Sequence, residues 1–394
     1  MTSKYTRIYA DYNATTPCDQ RVVDTMMPYF NMHFGNPSSS HHAHGWLAMD
    51  AIDSASETLG TALGVSPGEL VFTSGSTESI NSILKGLYLK GRSKRNHIIT
   101  SKAEHKAVLD TCQALEAEGA KVTYLDVTAN GLVDTQQLKQ HISDTTLVVA
   151  IMLANNETGV IQPLQEISEL CKTYGSFLFS DATQALGKIP LDDFFDHVDF
   201  ACFSSHKVYG PKGVGLTYIK DGNEKFLEAF MHGGGQQRKL RGGTYNTPGI
   251  VGMARAVELS VKNLEVEFAR LRGLRDQLQE GLSAIEETVV NGAAASRLPN
   301  TLNVSFKYVD GEGLLRALSK QVSVSNGSAC NSANVNPSHV LTAMGIPEVL
   351  AFSSIRFSLG RYTTQEEVEQ IIAIVSREVA AQREANILWE RRKR

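Results

Sequence analysis

Apolar runs and amphipathic segments alternate along most of this chain. Strand-like apolar runs include ELVF, HIITS, TTLVVAIML, SFLFSDATQ and VDFACFSS. Between them, STESINSILKGLYLKG, HKAVLDTCQALEAEG and PLQEISELCKTYG carry apolar residues at helical spacing. Continuous apolar strands separated by amphipathic helices are typical of a largely parallel sheet buried on both faces. The pattern therefore predicts an α/β fold with ligands bound outside the carboxyl ends of the strands.

The last third of the chain has a different pattern. A long helix is predicted from Thr247 to about Ile285, with Pro248 near its start. After it, NTLNVSF, GEGLLRALSK, QVSVS, NPSHVLTAMG and SSIRFSLG read as strand, helix, strand, helix and strand, before a last helix with a core stripe. Because single cores stop growing at roughly 250 to 300 residues, a chain of 394 residues is expected to form two domains.

Composition narrows the classes of protein to which the chain can belong. Its 38 Lys and Arg against 42 Asp and Glu give a net charge of -4. The chain therefore lacks the surplus of basic residues that would predict direct binding of nucleic acid. Neither an export signal nor a membrane span is recognised, and we expect a cytoplasmic protein. The five cysteines form no CxxC pair, which disfavours a disulfide framework and a structural zinc site.

Lys207 lies in SSHKVYGPKG, between a strand that reads as buried and a glycine-rich turn. That setting suits an amine that forms an imine with a cofactor aldehyde. Most lysines are solvated surface charges, so the local pattern alone leaves both readings open.

Other polar residues also follow predicted strands. The TSGSTE turn, with Ser76 and Thr77, is either a phosphate site at a helix N-terminus or an ordinary helix cap. Asp181 is either the partner of a protonated ring nitrogen or the cap of a helix in ATQALG. His105 reads locally as a capping or structural histidine, and the remaining polar residues at strand ends are Asn156 and Gln184.

Two loops carry candidate chemistry. His41, His42 and His44 lack carboxylates or thiolates at ligand spacing, so a solvated or substrate-channel loop is favoured over a metal site. HGGGQQRKLRGGTYN is either a solvent-exposed connection or an anion-binding segment. Cys330 stands in SNGSACNSANVNPSH, whose small and polar residues predict a mobile loop that carries one thiol.

Taken in order, these segments form a recognisable succession. The chain carries DYNATTP, FGNPSS, TSGSTES, EHKAVLDTC, NNETGVIQP, DATQALGK, SSHKVYGPKG, MHGGGQQRKLRGGT, GSACNSA and SSIRFSLGR. This succession resembles the pyridoxal-phosphate-dependent cysteine desulfurases of the IscS/NifS type over nearly the whole length. Two positions depart from this resemblance. Ser205 stands where many relatives have glycine, and it either adds a hydrogen bond to the phosphate or has no effect. The segment NGSACNSANVN differs from the commoner SGSACTSASLE.

The resemblance implies a role for each candidate residue. Lys207 would hold pyridoxal phosphate, Asp181 would pair with its ring nitrogen, and His105 would stack on the ring and move protons. Cys330 would take sulfur from L-cysteine as a persulfide, releasing L-alanine. The phosphate would be bound by Ser76, Thr77, Ser204 and His206, and the ring hydroxyl by Gln184. Thr244 would reach the phosphate of the neighbouring subunit. Asn156 and Arg356 would bind the substrate carboxylate.

The resemblance also implies an architecture. It is that of the type I pyridoxal-phosphate transferases: a large domain, 16–262, with a mostly parallel seven-stranded sheet flanked by helices, and a smaller α+β domain from 1–15 and 263–394. The small domain would carry the cysteine loop at about 325–337. The resemblance also implies a homodimer. It implies no intrinsic metal, and it leaves open that Cys330 transiently ligates a metal cluster together with a partner protein.

The sulfur acceptor is left open by the sequence. An iron–sulfur scaffold or a tRNA-thiolation relay would each take sulfur from the same loop, and a desulfurase dedicated to DNA phosphorothioation is an alternative. Selenocysteine lyase or aminotransferase activity would keep the fold and cofactor, and a silent scaffold subunit would keep only the fold. The basic tail ERRKR reads either as a docking segment for an acidic partner or as a solvated terminus.

Overall fold

The computed structural model describes residues 7–326 and 337–392. Its strands are β1 Ile8–Tyr9, β2 Leu70–Thr73, β3 His97–Ser101, β4 Lys121–Leu125, β5 Thr146–Ala150, β6 Phe177–Asp181, β7 Phe200–Ser204, β8 Gly215–Ile219, β9 Thr288–Val290, β10 Thr301–Phe306, β11 Val322–Ser323 and β12 Ser354–Ser358. Its α-helices are α1 Gln20–Met26, α2 Pro28–Asn31, α3 Ala43–Leu63, α4 Ser76–Gly91, α5 Lys106–Ala117, α6 Thr135–His141, α7 Leu164–Tyr174, α8 Phe194–His197, α9 Thr247–Lys262, α10 Leu264–Ser283, α11 Gly311–Leu318, α12 His339–Ala343, α13 Glu348–Phe352, α14 Gln365–Glu384 and α15 Ile387–Arg392.

Seven strands form the central sheet, in the order β2-β8-β7-β6-β5-β3-β4. The pairs among β3, β4, β5, β6 and β7 are parallel, whereas β8 runs antiparallel to both β7 and β2. Since β2 and β7 are both antiparallel to β8, they point in the same direction. The carboxyl end of β2 therefore lies at the same edge of the sheet as the ends of β3, β5, β6 and β7. The predicted α/β class with a mostly parallel sheet is confirmed.

Alternate residues of the strands enter two different cores. Ile98 and Val148 pack with apolar side chains of α4 and α5 on one face. Ile99 and Val149, their neighbours in sequence, pack on the other face with the core that includes α3, α7 and α9. Successive side chains of a strand point to opposite faces, so a sheet covered on both sides needs strands that are apolar at every position. The near-continuous apolar runs follow from this arrangement.

A second, smaller sheet has the order β12-β10-β9 and is antiparallel. It packs with α10, α11 and α14 around a separate apolar core, which also takes in Ile8 and Ala10 from the start of the described chain. β1 pairs with β11, so the N-terminal strand joins the C-terminal part of the protein. The division into a large domain, 16–262, and a small domain, 1–15 and 263–394, stays a prediction.

Two local predictions are wrong. The helix predicted from Thr247 to about Ile285 is two helices, α9 and α10, which are separated at Asn263. The Asn263 amide donates to Leu259 O at 2.7 Å, and the Asn263 backbone has left the helical region, with φ -106° and ψ 10°. Likewise the segment ATQALG after β6 forms turns rather than a helix. None of the described helices is long and apolar enough to cross a membrane.

Arg361, just after β12, joins the two parts of the protein. Its Nη1 lies 3.0 Å from Asp19 Oδ2 and its Nε lies 2.7 Å from Glu267 Oε1. Its guanidinium carbon also lies 4.1 Å from the centre of the Tyr209 ring. Hydrogen bonds from Arg21, together with the Arg361 charge, hold the pKa of Asp19 well below its usual range. One guanidinium thus pairs with two carboxylates, Asp19 just before α1 and Glu267 on α10.

Replacing Arg361 with Met is expected to destabilise the fold by about 3 kcal/mol, because Glu267 and the buried Asp19 both lose this guanidinium and Asp19 is left with Arg21. The free energy of unfolding in urea measures the effect. The matched control is Arg377→Met, which removes an exposed arginine from its pair with half-buried Glu378 and should cost no more than about 0.5 kcal/mol. Equal effects of the two substitutions would show that Arg361 is no more than a surface charge.

Candidate active site

A cavity with a volume of about 1110 Å³ opens at the carboxyl edge of the central sheet. Its walls come from the segments that follow β2, β3, β5, β6 and β7, from Asn13 and Ala14, and from Ser325, Ser338 and Arg356 of the C-terminal part. Most of the residues predicted from the sequence line it: Ser76, Thr77, His105, Asn156, Asp181, Gln184, Ser204, His206, Lys207 and Arg356.

Lys207 ends a single turn that follows β7. Its Nζ donates to the backbone carbonyls of Asn13 at 2.8 Å and of Ala14 at 2.7 Å. Burial lowers the pKa of Lys207 to about 8, and the Arg356 charge adds to this, although Asp181 and Asp11 oppose it. A lysine with this pKa is uncharged in about a tenth of molecules at pH 7, far more than an ordinary lysine, and a nucleophilic amine must be uncharged.

The N-terminus of α4 opens onto the cavity through residues that leave its backbone N–H groups accessible. Gly75 caps the helix without a side-chain hydrogen bond and has a φ of 153°, which residues with a Cβ rarely adopt. A Cβ on Gly215 would lie 2.5 Å from Gly75 Cα, so β8 also needs glycine there. A helix N-terminus with free N–H groups attracts a phosphate.

Side chains around this helix end add hydrogen-bonding groups. Ser76 Oγ lies 2.5 Å from Thr183 Oγ1, and Ser204 Oγ would lie 3.7 Å from a Cβ built on Gly75. His206 Nδ1 lies 3.1 Å from Thr15 Oγ1. Burial and the nearby charge of Lys207 lower the pKa of His206 to about 4, so its imidazole is neutral near pH 7 and can donate from Nε2.

Asp181, at the end of β6, is only 7% exposed. Its Oδ1 accepts from the Thr183 backbone N–H at 3.0 Å, and no cation of the described chain forms a salt bridge with it. A buried carboxylate needs a partner, and a protonated ring nitrogen would supply one. Together with the amine of Lys207 and the open N-terminus of α4, this carboxylate fits the pyridoxal phosphate that the resemblance implies.

His105 caps α5, as its local sequence suggested, and also lines the cavity. Its Nδ1 accepts from the Ala107 backbone N–H at 3.1 Å. In the neutral ring the proton is therefore assigned to Nε2. The capping and functional readings of this residue are compatible, because the hydrogen bond that caps the helix also fixes the tautomer.

Asn13 was not singled out in the sequence, yet it connects the site. Its backbone carbonyl accepts from both Lys207 Nζ and Gln184 Nε2, the latter at 2.9 Å. Its side chain donates to Asn156 O at 3.1 Å and to Thr301 Oγ1 at 2.8 Å. The DYNATTP motif was the sequence signal that could have drawn attention to Asn13. The motif does not reveal the partners of Asn13, because they lie far away in the sequence.

Arg356 on β12 is nearly buried in the cavity wall. Its Nη2 lies 2.6 Å from Asp11 Oδ1, and its Nη1 donates to the Asn156 carbonyl at 3.1 Å. Its Nε is buried without a hydrogen-bond partner among the described residues. A guanidinium that is oriented by two contacts and keeps an unused donor is well suited to bind a carboxylate.

Two described residues from the sequence analysis do not line the cavity, and a third falls outside the described part of the chain. Thr244 is exposed and is not one of the described residues that line it. Ser205 is buried, and a Cβ on Gly210 would lie only 2.0 Å from its Oγ. Its hydroxyl therefore faces Gly210 rather than the cavity lining, which rules against the added phosphate hydrogen bond. Cys330 lies outside the described residues.

Two buried carboxyls beside the cavity were also missed. Glu104 accepts from the Met152 backbone N–H at 3.0 Å and from Ser101 Oγ at 3.0 Å. Glu157 Oε2 accepts from Ser338 Oγ at 2.5 Å. Burial raises the pKa of Glu104 to about 8 and that of Glu157 to about 7. These raised pKa values cannot be read from the sequence, where a glutamate reads as a surface charge.

Glu104 makes the stability of the fold depend on pH between about 4.5 and about 8. Since its folded-state pKa is raised, its favourable contribution is complete below about pH 4.5 and is lost as the pH rises through about 8. Glu104→Gln keeps a neutral amide and should reduce this loss by about 1–3 kcal/mol between about pH 6 and pH 9. Urea unfolding at both pH values measures it, with exposed Glu169→Gln as the control. A loss unchanged in Glu104→Gln would exclude Glu104 as its source.

Comparisons with known proteins give a consistent result. Residues 8–371 match the family model for aminotransferase class V. The chain is 48% identical over 385 residues to cysteine desulfurase IscS of Klebsiella pneumoniae (strain 342), covering 97% of this chain and 95% of that protein. Among solved structures, a NifS-like protein has a TM-score of 0.88 at 39% identity, covering 95% of this chain and 99% of that one. SspA in complex with cysteine has a TM-score of 0.79 at 37% identity, covering 91% and 100%.

Proposed function

This chain belongs to the class-V aminotransferase family, among the cysteine desulfurases of the IscS/NifS type, and we propose that it transfers the sulfur of L-cysteine to Cys330. The observation that carries the proposal is the meeting, in one cavity, of a lysine amine, a buried carboxylate that forms no salt bridge with the described residues, and an open helix N-terminus. Each of the three matches a different part of pyridoxal phosphate.

When bound, pyridoxal phosphate supplies an aldehyde for amines and a ring that accepts electron density from the α-carbon of an amino acid. Asp181 would hold the proton on the ring nitrogen, which keeps the ring electron-withdrawing. The α4 N-terminus would bind the phosphate, with Ser76, Thr77, Ser204 and His206 around it. Lys207 would attach the cofactor through Nζ and, once that amine is released, accept or deliver the proton of the substrate α-carbon.

Arg356 would orient the substrate. Its place in the cavity wall beside Asn156 suits a guanidinium that binds an α-carboxylate. Because Asp11 and the Asn156 carbonyl already fix the guanidinium, little side-chain entropy is lost when cysteine binds. His105, which carries its proton on Nε2, would stack on the ring and exchange a proton with the reacting groups.

The sulfur-accepting thiol is proposed to be Cys330. Of the described cysteines, Cys112, Cys171 and Cys202 are buried and Cys18 is partly buried. Burial raises the pKa of all four, which disfavours the thiolate. In the proposed step the Cys330 thiolate attacks the substrate sulfur and the carbon–sulfur bond breaks. The electron pair remains on the substrate carbon, which takes up a proton, leaving L-alanine and a protein persulfide.

A homodimer is part of the proposal. The region around α2 and α3 exposes several large apolar side chains, including Phe30 at 59%, Phe34 at 65% and Trp46 at 54% exposure. Exposed large apolar side chains that lie near one another in sequence are consistent with a subunit interface. Exposed Thr244 would reach the phosphate site of the neighbouring subunit. In mixed dimers, a Thr244→Ala subunit should then regain activity from a Lys207→Ala subunit that supplies an intact Thr244.

We further propose a cytoplasmic enzyme that passes its persulfide sulfur to an acceptor protein. An iron–sulfur scaffold is the favoured acceptor, because the chain resembles the IscS/NifS type and 97% of it aligns with a cysteine desulfurase IscS. A tRNA-thiolation relay would draw on the same persulfide. Transfer of labelled sulfur from the loaded enzyme to each purified acceptor distinguishes them.

The central test is the reaction itself. Purified protein loaded with pyridoxal phosphate is expected to convert L-cysteine to L-alanine and, with a reductant present, to release one sulfide for each alanine. Alanine by amino-acid analysis and sulfide by a colorimetric assay measure the two products. Pyruvate in place of alanine, or a wild-type protein that binds no coloured cofactor, would refute the proposed function. Selenocysteine compared at equal concentration tests the lyase alternative.

A further inference from the structure

Lys188 is a buried lysine with neutral partners. It follows β6 in the turn segment that also contains Gln184, and it is only 9% exposed. Its Nζ donates to Gln184 Oε1 at 2.6 Å and to Asn13 Oδ1 at 3.3 Å. It is not one of the described residues that line the main cavity. A fully buried amine is costly, so its presence behind the site calls for a function.

The contact with Gln184 determines which atoms of that amide face the cavity. Gln184 Oε1 is occupied by Lys188 Nζ, while Gln184 Nε2 donates one hydrogen to Asn13 O. The second hydrogen of Nε2 is then the polar atom left for a ligand. A reversed amide would bring its oxygen against the Asn13 carbonyl oxygen and its N–H groups against the lysine. The two contacts thus define one orientation.

Only one of these contacts is independent of Lys207. Asn13 O accepts from Lys207 Nζ as well as from Gln184 Nε2, so its hydrogen bonding changes whenever the Lys207 amine is used. Lys188 contacts Gln184 Oε1 and the Asn13 side chain, and the Asn13 side chain is also bound by Asn300 Nδ2 at 3.1 Å. The hold of Lys188 on the amide therefore persists while Lys207 changes partners.

We propose that Lys188 is a positioning residue that locks the Gln184 amide with its N–H group toward the cavity, so that Gln184 can only donate a hydrogen bond to the ring oxygen of the cofactor. The inference rests on the proposed function, because it concerns the pyridoxal phosphate that this site fits. A fixed donor favours the deprotonated ring oxygen over the neutral hydroxyl. An amide free to turn would lose that preference.

The charge state of Lys188 is compatible with this role. Burial, followed by the charge of Lys207, lowers the pKa of Lys188 well below its usual value. A neutral amine keeps two N–H donors, one for Gln184 Oε1 and one for Asn13 Oδ1. It would therefore make both contacts without placing a second positive charge beside the Lys207 amine.

The test follows the visible absorbance of the bound cofactor as a function of pH. Lys188→Met retains the length of the side chain but cannot donate, and it should raise the midpoint of this titration by up to about one pH unit. Gln184→Met should produce a similar rise. If Lys188 acts through Gln184, adding Lys188→Met to Gln184→Met should cause little further change, which is the signature of coupled residues in a double-mutant cycle.

Controls separate this role from a loss of folding or of a nearby charge. Thermal unfolding of each cofactor-free variant reports its stability, and exposed Lys94→Met should leave the midpoint unchanged. Lys188→Gln retains a donor and should partly restore the wild-type midpoint. If Lys188→Met does not fold, Lys188→Gln alone and combined with Gln184→Met replaces it in the double-mutant cycle.

Two results would overturn the inference. One is a folded, coloured Lys188→Met protein with the wild-type midpoint. The other is an equal shift in the presence and absence of Gln184, which would indicate a direct charge effect. Neither result affects the proposed function, which would instead fail if the wild-type protein bound no coloured cofactor or released no alanine.

Discussion

Lys207→Ala is expected to abolish covalent attachment of the cofactor and to lower kcat/KM for L-cysteine by more than about a thousandfold, because both the anchoring amine and the group that moves the α-proton are lost. The loss should be confined to chemistry. Lys207 Nζ bonds only to the Asn13 and Ala14 carbonyls among its described contacts, and burial already disfavours its charge. We therefore expect the free energy of unfolding to change by no more than about 1–2 kcal/mol.

Two measurements establish this result. Absorbance and mass of the protein after borohydride reduction report covalent attachment, and alanine formation reports turnover. The matched control is Lys94→Ala, an exposed lysine that should retain both. If Lys207→Ala retained a reducible covalent bond to the cofactor, another amine would have to be the anchor, and buried Lys188 would be the first residue to examine.

Cys330→Ala is expected to keep the cofactor but to form no persulfide. Every group proposed to bind the cofactor lies elsewhere in the chain, so the visible absorbance should match that of the wild type. Alanine formation should fall by at least about a hundredfold, because no activated nucleophile remains to accept the substrate sulfur. Mass spectrometry after a single turnover should find one added sulfur atom on wild-type protein and none on the variant.

Cys18→Ala is the control for this experiment. Cys18 is the partly buried member of the described cysteines, and burial raises the pKa of its thiol. Its removal should leave persulfide and alanine formation unchanged. Undiminished sulfide release by Cys330→Ala would sink the assignment of this thiol, whereas loss of cofactor colour would mean that Cys330 also supports the binding site.

Sequence reasoning was most reliable where a residue acts through its position along one strand. Lys207, Asp181 and Ser76 each follow a strand, and the parallel sheet brings such residues to one edge. The same reasoning failed for Asn13, Lys188 and Glu104, because their chemistry depends on contacts with residues far away in sequence. Lys188 in particular reads as a surface charge until its burial is known.

Some local errors have a similar origin. The break at Asn263 depends on a side chain that returns to the Leu259 carbonyl, a choice that helical periodicity does not reveal. The turns after Asp181 replaced a predicted helix in a segment whose Gln184 and Lys188 make tertiary hydrogen bonds. In both segments, specific hydrogen bonds overrode the local pattern.

The sequence by itself determined the fold class, because strands covered on both faces require continuous apolar runs, and it determined the family through an ordered set of motifs. It also named most of the polar residues that line the cavity. Only the tertiary structure decided their electrostatic states and orientations. The lowered pKa of Lys207, the unpaired carboxylate of Asp181 and the fixed amide of Gln184 arise from burial and from neighbours that folding brings together. Desolvation and hydrogen bonding act through space, so no pattern along the chain encodes them directly.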